Sequence, residues 1–207
     1  NAHNNLGNVL KDLEQLDAAV KSYKNAIAIK PDYVEAHYSL GKTHQELGQL
    51  DDAVKSYNEV VDIEPNFAEM HNNLGVILKE LNQKDAALKS LERAVAIKPD
   101  FAEAHNNLGN ILKELNQQYA SVKCYEKAVA LQPDYVDAHY NLGGAFKTLG
   151  QFEAAVKSYE RSLAIQPDYA EALYNLGGVL KDLGQLDAAI KSYEKAVALK
   201  PDYAEAY

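Results

Sequence analysis

Residues 68–101 read AEMHNNLGVILKELNQKDAALKSLERAVAIKPDF, and the plan of the whole chain is contained in them. In the first half His71, Leu74, Gly75 and Leu78 fall at i, i+3, i+4 and i+7, one stripe of an α-helix. Leu81 closes that pattern at an Asn82-Gln83 turn. In the second half Ala87, Leu91 and Ala94 form another stripe, extended by Leu88, Val95 and Ile97. Pro99 then stops the helix, because proline lacks the N–H and clashes with the preceding turn. The stretch is a helix hairpin, and the small residues Gly75 and Ala87 are expected where its two helices cross.

The hairpin recurs. The 6 prolines, Pro31, Pro65, Pro99, Pro133, Pro167 and Pro201, follow one another at intervals of 34 residues. A period of this size means small units that cannot bury their own apolar faces and must stack. The glycine slot recurs as Gly7, Gly41, Gly109, Gly143 and Gly177, and the alanine slot as Ala19, Ala53, Ser121, Ala155 and Ala189. The expected fold is an all-α solenoid, a single array over 1–207 with copies at 1–33, 34–67, 68–101, 102–135, 136–169 and 170–203. Residues 204–207 read as the start of a seventh copy, so both ends are expected to be cut from a longer array.

After each proline stands Asp or Asn, with an acid three residues on, as in Asp32 with Glu35 and Asn66 with Glu69. This predicts a capping box that restarts a helix. Between them Tyr33, Phe67, Phe101, Tyr135, Tyr169 and Tyr203 place an aromatic at each junction, expected to pack between neighbouring units. The fourth copy is the oddest: Gln118-Tyr119 replaces the usual Leu-Asp pair at the start of the second helix, which should loosen that corner.

These residues resemble the tetratricopeptide repeat family, a 34-residue helix–turn–helix with Leu-Gly in its first helix, a small residue and an aromatic in its second, and a closing proline. The resemblance covers the whole chain. It implies a right-handed superhelix whose first helices line a concave groove. The family has Trp or another aromatic where this chain has His3, His37, His71, His105, His139 and Leu173.

Helical geometry, ~100° per residue, places Glu69, Asn73, Val76 and Glu80 opposite the packed stripe of the first helix. The central position of that face is Asn5, Ser39, Asn73, Asn107, Asn141 and Asn175 along the copies. An amide has both donor and acceptor, as a peptide backbone requires, so this asparagine ladder is a candidate for holding an extended partner segment. It is similar to the ladder of O-linked N-acetylglucosamine transferase arrays, whose groove asparagines contact peptide backbone. The alternative is a residue inherited without a specific role. Flanking candidates are Asn72, Asn106, Tyr140 and Tyr174, together with Asn4 and Tyr38, and the cations Lys79 and Lys113 in the row Lys11, Gln45, Lys147 and Lys181. Beside the lysines stand Asp12, Glu46, Glu80, Glu114, Thr148 and Asp182. A solvated helix end with cations near its C-terminus is the simpler expectation for that row.

The remaining expectations are negative. A net charge of −9 argues against nucleic acid and anionic membranes, which attract clustered Lys and Arg. No apolar run approaches the ~20 residues of a membrane span. No signal peptide is visible, and a cytoplasmic location is expected. No histidine pair has the i, i+3 or i+4 spacing of a metal site, and neither a phosphate loop nor a nucleophile elbow is present. The single Cys124 occupies a slot that holds Ser22, Ser56, Ser90, Ser158 and Ser192 elsewhere. No catalytic residue, metal ligand or cofactor is therefore expected. Groove cations suited to clamping a chaperone's terminal carboxylate are missing: Asn4, Glu69 and Asn73 stand in those places. The expected partner is a protein or peptide. End-to-end association of copies through uncapped terminal repeats is the competing expectation.

Overall fold

The computed structural model describes residues 2–201, which form twelve α-helices and, among the described residues, no strand. The seventh-copy start at 204–207 and the aromatic Tyr203 lie outside the described residues. The chain divides into two compact units, Asn1–Pro99 and Asp100–Tyr207. The first holds α1 (Ala2–Asp12), α2 (Leu16–Ile29), α3 (Val34–Glu46), α4 (Leu50–Ile63), α5 (Ala68–Glu80) and α6 (Lys84–Ile97). The second holds α7 (Ala102–Glu114), α8 (Gln118–Leu131), α9 (Val136–Thr148), α10 (Phe152–Ile165), α11 (Ala170–Asp182) and α12 (Leu186–Leu199). Odd-numbered helices are the first helix of each hairpin, and even-numbered helices the second.

In the first unit α3 packs against both α2 and α4, its neighbours before and after. In the second unit α9 sits likewise between α8 and α10. A first helix is therefore buried on two flanks, not along one stripe. Leu74, Gly75 and Leu78 form the expected flank of α5, while Met70 and Ile77 form a second one with no exposed surface at all. The cores cross the repeat boundaries: Tyr23 of α2 clusters with Leu40 of α3, and Val122 and Tyr125 of α8 with Leu142 and Ala145 of α9.

Each repeat glycine is a socket for a side chain of the paired helix. A Cβ built at Gly7 or Gly109 would stand 2.5 Å from the ring of Tyr23 or Tyr125, and one at Gly75 would stand 2.5 Å from Leu91 Cγ. The four tyrosines Tyr23, Tyr57, Tyr125 and Tyr159 are essentially without exposed surface. Sequence reading placed Gly and Ala together at the crossing. Both slots are buried, and the glycine receives the side chain one turn beyond the alanine slot, Leu91 in the third copy and a tyrosine in the others.

The capping box does not form. The residue before α3, α5, α7, α9 and α11 is the aromatic Tyr33, Phe67, Phe101, Tyr135 or Tyr169, with no side-chain cap bond. Asp32 lies in the turn before it, one residue too early to serve. The hairpin turns satisfy their backbone instead. Gly48 N–H donates to Gln45 O at 3.0 Å, and Gln49 N–H to His44 O at 2.8 Å, the paired bonds of a Schellman motif. That motif needs a left-handed residue, supplied by Gly48, Gly150 and Gly184, by Asn82 and Asn116, and once by Glu14 at φ 57°. At the fourth hairpin the Gln118 side-chain oxygen is buried without a partner among the described residues and Tyr119 is exposed, a poor fit at a corner that holds Leu16, Leu50, Phe152 and Leu186 in four other copies.

Candidate functional site

His37, His71 and His139 each place Nε2 against the carbonyl of the proline six residues earlier, Pro31, Pro65 and Pro133, at 2.7, 3.0 and 3.0 Å. These bonds pin the start of the first helix to the end of the hairpin before it. They engage the histidines in structure, and among the described residues no group of three His, Cys, Asp or Glu is placed to hold a metal ion. Burial pushes the Cys124 thiol up to about 11, so it stays protonated at neutral pH.

With both flanks of the first helix buried, one strip remains open. In the first unit it carries Asn5, Ser39 and Asn73, with Lys79 partly exposed beside it. In the second unit it carries Asn107, Asn141 and Asn175, with Lys113 alongside. The flanking asparagines are not on it: Asn72 is 1% exposed and Asn106 is 4% exposed. That overturns their reading as open rungs. The second flank of the first helix, which the single-stripe pattern missed, takes them into the packing.

Their burial gives the ladder its geometry. Asn141 Nδ2 donates to Asn106 Oδ1 at 3.0 Å, and Asn175 Nδ2 donates to the Tyr140 hydroxyl at 2.9 Å. These two rungs are thus each tied to the residue one position before the rung of the preceding repeat. An amide has two N–H donors and a carbonyl oxygen, so one such bond orients it and leaves capacity for a ligand. Tyr140 is itself held between Tyr159 and Tyr169, with ring centroids 5.8 and 4.9 Å away. Tyr174 packs on Tyr193 at 5.6 Å.

A cavity of about 420 Å³ opens on this strip of the second unit, lined by Lys113, Tyr140, Asn141, Gly144, Lys147, Thr148, Tyr159 and Asn175. It brings together four of the expected residues: Asn141, Asn175, Tyr140 and Lys113. Gly144, Thr148 and the second-helix Tyr159 were not among them. The signal available was the slot of Gly144, which holds Asn8, Lys42, Val76 and Asn110 in the first four copies. At Gly144 that slot holds no side chain, and between the helices it leaves space.

Models of the repeat match nearly the entire chain: the TPR repeat at residues 7–48, 45–82, 77–116, 109–150 and 145–182, and the tetratricopeptide repeat at 170–203. The chain belongs to the tetratricopeptide repeat family. No curated protein sequence matches it significantly. Among solved structures it is similar to MamA, with 27% identity over 80% of this chain and 97% of that one, at a TM-score of 0.74. PilF of Pseudomonas aeruginosa shares the fold, with 19% identity, coverage of 99% and 93%, and a TM-score of 0.83. So does YrrB, described as a TPR protein with an unusual peptide-binding site, with 18% identity, coverage of 90% and 96%, and a TM-score of 0.75. As for the membrane, no described helix is long and apolar enough to cross one.

Proposed function

We propose that this TPR array is a protein-interaction module that holds an extended segment of a partner protein along the open strip of its first helices. The amide ladder would read the backbone of that segment, and flanking side chains would select its sequence. The observation that carries this is the tethering of Asn141 and Asn175 by Asn106 and Tyr140, which fixes two amides in advance of any ligand. Fixing them lowers the entropy lost on binding. YrrB, of the same fold, has a peptide-binding site.

The test is a peptide-library selection on the intact chain, repeated with Asn141→Ala/Asn175→Ala after circular dichroism has verified its helix content. At about 1 kcal/mol per lost hydrogen bond, selected peptides should bind the variant roughly 30-fold more weakly. Unchanged affinity would remove the ladder from the binding site.

A second reading has its own observation. Leu6, Val9 and Leu13 in or just after α1, and Leu186 and Ile190 on α12, are each at least half exposed. Apolar faces of this kind suit end-to-end association of copies.

A further inference from the structure

We propose that the cavity on α7, α9 and α11 selects an acidic side chain, Asp or Glu, in the bound segment. The proposal rests on the peptide-binding function above and adds to it a chemical preference at one register.

The lining is rich in donors and has no carboxylate. Lys113 and Lys147 bring two ammonium groups, Asn141 and Asn175 bring amides, and Tyr159 brings a hydroxyl. Two replacements produce this composition. In the first copy and the fourth, an asparagine of the first helix accepts the proton of the socket tyrosine: Tyr23 Oη donates to Asn8 Oδ1 at 2.9 Å, and Tyr125 Oη to Asn110 Oδ1 at 2.8 Å. In the fifth copy that asparagine is Gly144. The Tyr159 hydroxyl lies 3.6 Å from where a Gly144 Cβ would be, on the cavity wall, and donates to no acceptor among the described residues. Burial pushes its phenol pKa up, so the proton is present at neutral pH.

The second replacement is Thr148. Elsewhere this position is Asp12, Glu46, Glu80, Glu114 or Asp182, and Lys11 pairs with Glu46 of the following copy at 2.8 Å. Thr148 instead turns its hydroxyl back to Gly144 O at 3.0 Å, so it brings no negative charge to the cavity. Lys147 joins no ion pair among the described residues, and its ammonium extends to within 3.4 Å of where a Gly178 Cβ would stand. A chain of net charge −9 has thus placed a carboxylate-free, donor-lined cavity on the strip that faces a ligand. A group that only accepts hydrogen bonds and is negative fits it; an ionised carboxylate is such a group.

The experiment uses a displayed random-peptide library on the intact chain and on Lys113→Gln/Lys147→Gln. Peptides selected by the wild type should share Asp or Glu at one register. Changing that residue to Asn or Gln should weaken wild-type binding about fivefold to tenfold, and should change nothing on the double variant. Gly144→Asn, which gives Tyr159 its acceptor back, should reduce the acid preference with the lysines intact. Peptides that bind without an acidic register, or whose acid matters equally on the double variant, would overturn this proposal and leave peptide binding standing. Tighter binding of a phosphoserine at that register would reassign the cavity to phosphate. Failure to select any peptide would overturn both.

Discussion

A methyl group added at Gly109 would meet Tyr125 Cε1 at 2.5 Å, and that ring is fully buried with nowhere to move. Gly109→Ala is therefore expected to destabilise the chain by ~1–3 kcal/mol through overpacking. At Gly144 the nearest atom is the Tyr159 hydroxyl at 3.6 Å, an ordinary contact, and alanine is the better helix former by ~1 kcal/mol. Gly144→Ala is expected to stabilise by up to that amount. Urea denaturation of the two variants checks the pair, and a similar loss in both would contradict the socket. Both glycines lie inside first helices, and their spacing alone gives no reason to treat them differently. What separates them is the partner on the facing helix, a tertiary fact that periodicity does not carry.

Among the elements, three junctions between hairpins carry a histidine–proline bond, from His37, His71 and His139. His37 is buried against Pro31 O, whereas the bond from His139 to Pro133 O is exposed to water that can replace it. His37→Leu should cost ~1–2 kcal/mol and His139→Leu ~1 kcal/mol or less, read as shifts in the denaturant midpoint. Leu173, at the same position in the sixth copy, is buried and shows that an apolar side chain fits there. Equal losses would mean that ring packing, not the hydrogen bond, is what matters. The helices themselves were legible from the 34-residue period and the apolar stripes. Their starts were not, because Asp32 and Asn66 look like caps while Tyr33 and Phe67 occupy the capping position with no side-chain bond. The candidate strip was half legible in the same way. Asn73, Asn107 and Asn141 are found on the open strip, as helical geometry placed them. Asn72 and Asn106 are buried, since packing on the second flank depends on the preceding hairpin.

For the whole molecule, the exposed apolar residues of α1 and α12 set a test of association. End-to-end pairing predicts a mass that rises with concentration in sedimentation, and a return to monomer on Leu186→Glu/Ile190→Glu, residues 58% and 54% exposed. A single monomeric species across the accessible range would leave the open strip as the sole surface with a proposed role. The socket has a further consequence for the history of such a chain. The same lock, a glycine receiving a tyrosine or leucine, closes all six hairpins, while the slot beside the asparagines of the open strip varies through Asn8, Lys42, Val76, Asn110, Gly144 and Gly178. Copies can therefore be duplicated, lost or reordered while keeping the same lock, and each exchange changes the order of the side chains shown along the strip. Lock and strip stand on different letters of one 34-residue word, except at Tyr159, which fills the Gly143 socket and also lines the cavity.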